Sequence, residues 1–385
     1  MGALRVERLE RAGNGEWVAQ RRGAAWHRFD FQLAFYALLL AIVGLLMAYS
    51  NSNGAPLAVG STFTRGLMWF AMAIAVYSVA ASLDPRWLRT FAWPIYFVNI
   101  SLLVLTLAVG TGVGGVSRWV SILGLQFQFS EVAKILMIGV LASYLAGRGE
   151  AVSRLSTAMG AGTLIAPPLV LVLVQPDLGT SLVFAAILLG TLFLAGTRVR
   201  WLLLAIGTGV AAFPVFWSIL QDYQRRRLLS FLDPSADPLG SGFQIIQSQI
   251  AVASGGLFGT GLTNGGQAGQ DLLPVQTTDF AAAVLFQELG FVGGIVLLAL
   301  FGGLIWRILL AGWRSQDIFG VAFAAGVASM LLFQLVVNVG MIIGVMPVTG
   351  IPLPFVTHGG ASLISIALGL GILQSINMRR SPPDW

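Results

Sequence analysis

Three consecutive arginines, Arg225, Arg226 and Arg227, lie near the start of a polar, Gly- and Pro-rich stretch running from Gln221 to Asp279. The stretch closes on Thr277-Thr278-Asp279-Phe280, where a lone carboxylate stands at the mouth of an apolar segment. Basic groups and an acid placed together at a bilayer surface suit chemistry on a phosphate-bearing, lipid-linked molecule. Ordinary connections between helices are much shorter, so the length of this one calls for a function. A second constellation lies upstream. Glu131 and Lys134, the chain's single lysine, are three residues apart in Phe129-Ser130-Glu131-Val132-Ala133-Lys134. At that spacing on a helix the two share a face and can pair, and Ser130 is placed to cap the helix. The pair reads either as a neutralised helix start or as a polar lining turned toward a cavity. Arg118, in Ser117-Arg118-Trp119, reads either as an interfacial anchor beside Trp119 or as a phosphate ligand through its planar fork of donors.

The elements that must position these groups are membrane helices. The chain has 385 residues, 56% of them hydrophobic and 10% charged, with a mean hydropathy of +0.83. These values exclude an ordinary soluble domain. Ten apolar runs approach spanning length, at about 31–50, 66–83, 90–109, 132–147, 162–175, 178–196, 200–219, 282–310, 319–345 and 358–378. The expected fold is therefore an all-α integral membrane protein of about ten transmembrane helices, with a long extracytoplasmic loop between the seventh and eighth. The fifth run is short and carries Pro167-Pro168, which predicts a kinked or shallow helix. The organisation expected is a cytoplasmic tail over 1–30, a membrane domain over 31–378 with the loop at 221–281, and a short cytoplasmic tail over 379–385. The first thirty residues hold six arginines and no apolar core, unlike a cleaved signal peptide.

Charge fixes the expected orientation. With an even number of spans and the N-terminus inside, sixteen of the twenty-two basic residues fall on the inner side. The pI near 10.3 thus reports topology and gives no reason to expect a nucleic-acid partner. Six basic residues break the pattern: Arg65, Arg118, Lys134, Arg225, Arg226 and Arg227. There is no cysteine, which excludes disulfides, thiol catalysis and cysteine metal sites, and two histidines are too few for a histidine metal cluster. Gln175-Pro176-Asp177 reads as a turn and helix start, and the glycines from Gly255 to Gly266 as tight turns in a re-entrant segment. Asp279 has a competing role as an N-cap, although Thr277 and Thr278 already supply capping oxygens. Glu288 takes no catalytic role from its spacing.

In order along the chain, several segments together resemble one family, the shape, elongation, division and sporulation (SEDS) membrane proteins. They are Ser117-Arg118-Trp119 with Gln128-Phe129-Ser130-Glu131; Gln175-Pro176-Asp177-Leu178-Gly179-Thr180; and Asp233-Pro234 to Asp237-Pro238. Then come Gln247-Ser248-Gln249-Ile250-Ala251, Leu273-Pro274-Val275-Gln276-Thr277-Thr278-Asp279-Phe280, Gln287-Glu288-Leu289-Gly290, and Pro347 to Phe355 with Gly359-Gly360. The basic tail and overall pattern lean toward the RodA branch of the family over the FtsW branch. The chain departs from the family pattern at Phe129, at Ala281-Ala282 and over Thr357 to Ser362.

The resemblance implies a peptidoglycan glycosyltransferase that polymerises lipid II at the outer face of the bacterial cytoplasmic membrane for elongation and shape. It implies an inverting transfer from an undecaprenyl-pyrophosphate-linked disaccharide and a class B penicillin-binding protein as partner. The family's essential aspartate falls on Asp279, and its polar pair on Glu131 and Lys134. Asp279 is assigned as catalytic base. Arg118, Glu131, Lys134, Arg225, Arg226 and Arg227 are assigned to the substrate and its pyrophosphate. A divalent ion could share the pyrophosphate role, but no ligand cluster stands out. Two readings of another class compete: a lipid II flippase, which needs charges along the whole crossing path, and a scaffold for the penicillin-binding protein, for which the acid is dispensable.

Overall fold

The computed structural model describes residues 26–52, 56–58, 60–110, 118–122, 125–234, 240–264, 280–315, 317–357 and 359–379. All ten apolar runs form helices. They are α1 Phe31–Ser50, α2 Thr62–Ser82, the short α3 Arg86–Thr90 leading into α4 Ala92–Val109, then α5 Phe129–Ala146, α6 Leu155–Val174 and α7 Leu178–Leu194. The seventh run is two short helices, α8 Val199–Ala211 and α9 Phe213–Ile219. The polar stretch after it folds into α10 Asp222–Leu232 and α11 Ser241–Ser254, and the last three spans are α12 Ala281–Trp313, α13 Ile318–Ile342 and α14 Gly360–Arg379. Eight of these helices are long and apolar enough to cross a bilayer unaided; α7 and α8 are shorter.

Burial separates the centre of the bundle from its lipid face. The apolar windows of α5, α13 and α14 are 67%, 72% and 83% buried, whereas that of α2 is 11% buried, so the first three form the core. α13 packs on α12, α7 and α5, and α2 lies along α14. From Leu203 to Val215 every residue of α8 and α9 is exposed, which places the seventh span at the periphery. Large apolar side chains left outside, such as Phe97, Val210 and Trp306, are what a lipid-facing surface requires.

Two sequence expectations need correction. α6 is not short: it runs twenty residues from Leu155 to Val174, with Pro167 and Pro168 inside it. Its first two turns hold Ser156, Thr157, Gly160 and Gly162 and so escape a hydropathy reading, but Gly160 packs against the Tyr144 ring and Thr157 is buried. Ser130 does not cap α5. The helix begins two residues earlier, at Phe129 with Gln128 at the cap position, because a hairpin of β1 Val120–Ile122 and β2 Leu125–Phe127 runs straight into it. The Ser130 hydroxyl is left buried without a partner among the described residues.

At the end of the bundle where α1 starts and α14 finishes, charged groups tie helix ends together. Asp30 caps α1 by accepting from Leu33 N (3.0 Å) and pairs with Arg307 of α12 at 2.5 Å. Arg379 of α14 donates to the Ser82 and Leu83 carbonyls that end α2.

The opposite end holds the structure's main irregularity. α12 is broken at Gly290, whose φ of 67° and ψ of −167° no helix contains. The break frees two carbonyls and two amides, and the loop after α11 takes up all four. Thr260 N donates to Gln287 O (3.0 Å) and Gly261 N to Glu288 O (3.1 Å). Phe291 N donates to Gly256 O (2.9 Å) and Val292 N to Leu257 O (3.1 Å). Irregular backbone at membrane depth survives only where protein satisfies it in this way. The expectation of tight turns holds for Gly256, Gly259 and Gly261, which all have positive φ, whereas Gly255 caps α11 with a φ of −68°. A Cβ on Gly290 would lie 2.3 Å from Gly259 N, so two backbones meet where no side chain fits.

Gly290→Ala should therefore cost about 1–3 kcal/mol from backbone conformation alone, with the clash added. Thermal unfolding in detergent should show a lower midpoint; an unchanged midpoint would mean that the interlocked break contributes nothing to stability.

Candidate functional site

The amino ends of α2, α5, α7 and α14 come together at the broken end of the bundle, beside the carboxyl half of α1. Between them lies a cavity of about 900 Å³. Its walls include Gly44 and Ala48 of α1, Arg65 and Trp69 of α2, Glu131 of α5, Asp177 beside α7 and Arg227 of α10. The buried loop from Gly350 to Thr357, between α13 and α14, closes another side. Phe355 stacks edge-on against Phe301, and Asn338 donates to Ile351 O at 2.8 Å, holding that loop in the core.

Four helix amino ends bring partial positive charge to one place. The side chains add more. Glu131 and Lys134 form the pair their spacing predicts, Nζ to Oε1 at 2.7 Å, with both side chains almost wholly buried. Glu131 reaches the cavity wall and Lys134 lies behind it, so the two alternatives for this pair coincide: a neutralised helix start that also lines the cavity.

Asp177 is the N-cap of α7. Its carboxylate accepts from Thr180 N (3.1 Å), Thr180 Oγ1 (2.9 Å) and Gln128 Nε2 (3.1 Å). It is the structural cap that its Pro-Asp setting suggests, and it is also a cavity wall.

Arg118 lies beside it, 4.0 Å from Asp177 Oδ1. Most of its donors are engaged: Nε with Gln175 O (3.2 Å), and Nη2 with Pro176 O and Tyr223 Oη. Arg118 thus lines the cavity while fastening α10 to the start of α7.

The three arginines of α10 diverge. Arg225 donates to the Trp217 and Ser218 carbonyls that end α9. Arg226 is exposed and lines no part of the cavity. Arg227 lines the cavity, its guanidinium 5.8 Å from the Tyr223 ring centre. The structure therefore gathers Arg118, Glu131 and Arg227 on one cavity, with Lys134 behind Glu131, and sets Arg225 and Arg226 apart.

Arg65 joins the cavity from the first turn of α2. Sequence reasoning gave it no role, although its failure to follow the positive-inside pattern was the signal. Among the described residues, neither the Arg65 nor the Arg227 guanidinium has a hydrogen bond or ion pair. Asp279 lies outside the described residues. The cap position of α12 is Phe280, buried and without a side-chain cap bond. No group of three metal-ligating side chains occurs among the described residues.

Apolar helices of spanning length around a charged cavity at one end of the bundle define a multi-pass membrane protein. Residues 31–382 match the family described as cell cycle protein, the FtsW, RodA and SpoVE proteins, and the chain belongs to that family. It is 39% identical to the peptidoglycan glycosyltransferase MrdB of Escherichia coli K12, over 92% of this chain and 95% of that one. It is 34% identical to the stage V sporulation protein E of Bacillus subtilis, over 90% and 96%. Among solved structures it resembles the rod shape determining protein RodA of Thermus thermophilus with a TM-score of 0.69 and 29% identity, over 92% and 98%. It also resembles a chain from a peptidoglycan synthase complex, in work on the structural coordination of polymerization and crosslinking. There the TM-score is 0.76 and the identity 34%, over 91% and 97%.

Removing one member of a buried ion pair strands the other, at about 3–5 kcal/mol. Lys134→Met should lower thermal stability by that order, and Glu131→Gln combined with Lys134→Met should recover most of it. A single variant as stable as the parent would show that the pair is not closed in the membrane.

Proposed function

We propose that this chain is a peptidoglycan glycosyltransferase of the elongation type, polymerising lipid II at the outer face of the cytoplasmic membrane. Its near full-length relation to a peptidoglycan glycosyltransferase supports the activity, and its likeness to RodA supports the role in cell shape. The observation that carries the reading is the cavity with two guanidinium groups, Arg65 and Arg227, that no protein acceptor neutralises among the described residues. Two positive groups converging on one cavity, without acceptors among the described residues, favour an anionic ligand there. The pyrophosphate of a polyprenyl-linked sugar supplies one at the right height. The cavity end faces outward in this reading, and the arginine-rich ends of α2, α5, α7, α12 and α14 face the cytoplasm.

The reaction joins the 4-hydroxyl of an acceptor sugar to the anomeric carbon of the donor, with inversion. Asp279 takes the hydroxyl proton as the new C–O bond forms, and such a base contributes about 10²–10⁴-fold. The bond from the anomeric carbon to the pyrophosphate oxygen breaks, and undecaprenyl pyrophosphate leaves with the electron pair. Arg227 and Arg65 meet the developing charge as preorganised cations. Arg118 contributes mainly by holding α10, and therefore Arg227, against the start of α7. Glu131 and Lys134 form the polar floor beneath. A class B penicillin-binding protein crosslinks the product strands.

Two outcomes follow. Asp279→Ala in the purified protein with its transpeptidase partner should abolish glycan polymerisation on gels while leaving folding and lipid II binding intact; full-length glycan from that variant removes the assignment. Arg227→Ala and Arg65→Ala should each weaken substrate use by about tenfold or more, the worth of a hydrogen bond to a charged group. Unchanged kcat/KM in both would leave the cavity without a role in binding.

A further inference from the structure

Glu288 lies two turns into α12, one residue before the Leu289-Gly290 break, and is buried. Its Oε1 accepts from the Ser50 hydroxyl, at the last residue of α1, and from Thr263 N at 3.2 Å. Thr263 N also lies 3.2 Å from Ser50 Oγ, so the three groups close a triangle. Thr263 has a φ of +67°, a conformation that a β-branched residue rarely adopts and that its surroundings must impose. Glu288 is not a cavity wall and takes no part in the reaction described above. It nevertheless draws together three elements: the end of α1, the outer half of α12, and the loop leaving α11.

We propose that Glu288 is a positioning residue that clasps Thr263 and Ser50 to the break in α12 and so fixes where the chain leading to Asp279 begins. The chain between Asn264 and Phe280 carries the assigned base. One of its flanks is the clasp. The other is Phe280, buried at the start of the same half-helix. Both flanks are thereby referred to the short rigid piece of α12 from Ala281 to Leu289. That piece is interlocked with the Gly255–Gly261 loop through the four backbone bonds at the break. What the position needs is an acceptor oxygen on a side chain of this length, since both neighbours donate to Oε1. The inference rests on Asp279 being the base, because it gives the clasp something to position.

The test uses the protein in complex with its transpeptidase partner, reconstituted and supplied with lipid II. Glu288→Ala should lower kcat for polymerisation by about tenfold to hundredfold, the scale of a small misplacement of a reacting group, with KM unchanged. Glu288→Gln should retain nearly full activity, because its amide oxygen accepts the same two bonds. Ser50→Ala, which keeps the carboxylate, should cost about fivefold in kcat, the worth of one hydrogen bond. Hydrogen exchange at Thr263 should quicken in Glu288→Ala and not in Glu288→Gln. Wild-type kcat in Glu288→Ala overturns the proposal, as does a loss confined to KM or a Gln variant as poor as the Ala variant. Should Glu288→Ala fail to fold, an unchanged kcat in Ser50→Ala overturns it equally. Asp279→Ala run alongside separates the two readings. If it is inactive while Glu288→Ala is active, the clasp alone is lost; if Asp279→Ala polymerises normally, the assignment of the base is lost.

Discussion

Hydrocarbon offers no partner to a polar group, and that constraint organises this structure. Among the described residues at the ends of the bundle, several departures from helix are met by another piece of the chain. The carbonyls and amides released at Gly290 bond to the Gly256–Gly261 loop, Asp30 takes up both a helix amino end and Arg307, and Glu131 answers Lys134. Burying such charges costs several kcal/mol each before pairing returns part of it. Groups kept at that cost mark where the protein needs polarity inside the membrane.

The cavity collects charged groups, some paired and some not. Its lower wall is neutralised, with Lys134 paired to Glu131. Its rim is organised by Asp177, which accepts from Gln128 and Thr180 and approaches Arg118. Only Arg65 and Arg227, among the cavity's described cations, point at no protein acceptor. The fold thus brings two positive side chains to one cavity, with α10 held in place by the Pro176 carbonyl, which accepts from Arg118, Tyr223 and Gln224. Binding energy for a diphosphate would come from these two side chains and the nearby helix amino ends, and would need no rearrangement of the core.

Much of this was legible in the sequence because spans announce themselves by hydropathy and buried pairs by spacing. The ten runs and the Glu131–Lys134 pair follow from those two rules. What escaped has physical reasons. The first two turns of α6 are small and polar, so composition hid a helix that packing against Tyr144 stabilises. Ser130 looked like a cap because a hairpin leading into α5 leaves little trace in composition. The three arginines of α10 were read as a unit, but a helix sends successive side chains about 100° apart, so only Arg227 reaches the cavity. Glu288 depends on contacts with residues far along the chain, which no local pattern encodes, and Arg65 shows in the sequence only through its departure from the positive-inside pattern. The family resemblance supplied the activity and the weight placed on Asp279, which spacing alone leaves between capping and catalysis.

The most direct measurement is photocrosslinking from the cavity wall. A photoreactive residue at Trp69, facing the space between Arg65 and the Gly359-Gly360 turn, should label lipid II in membranes. The labelling should be displaced by undecaprenyl pyrophosphate and lost when Arg65 and Arg227 are both replaced by alanine. Labelling no stronger than from a lipid-facing position such as Phe97, and indifferent to the competitor, would contradict the account.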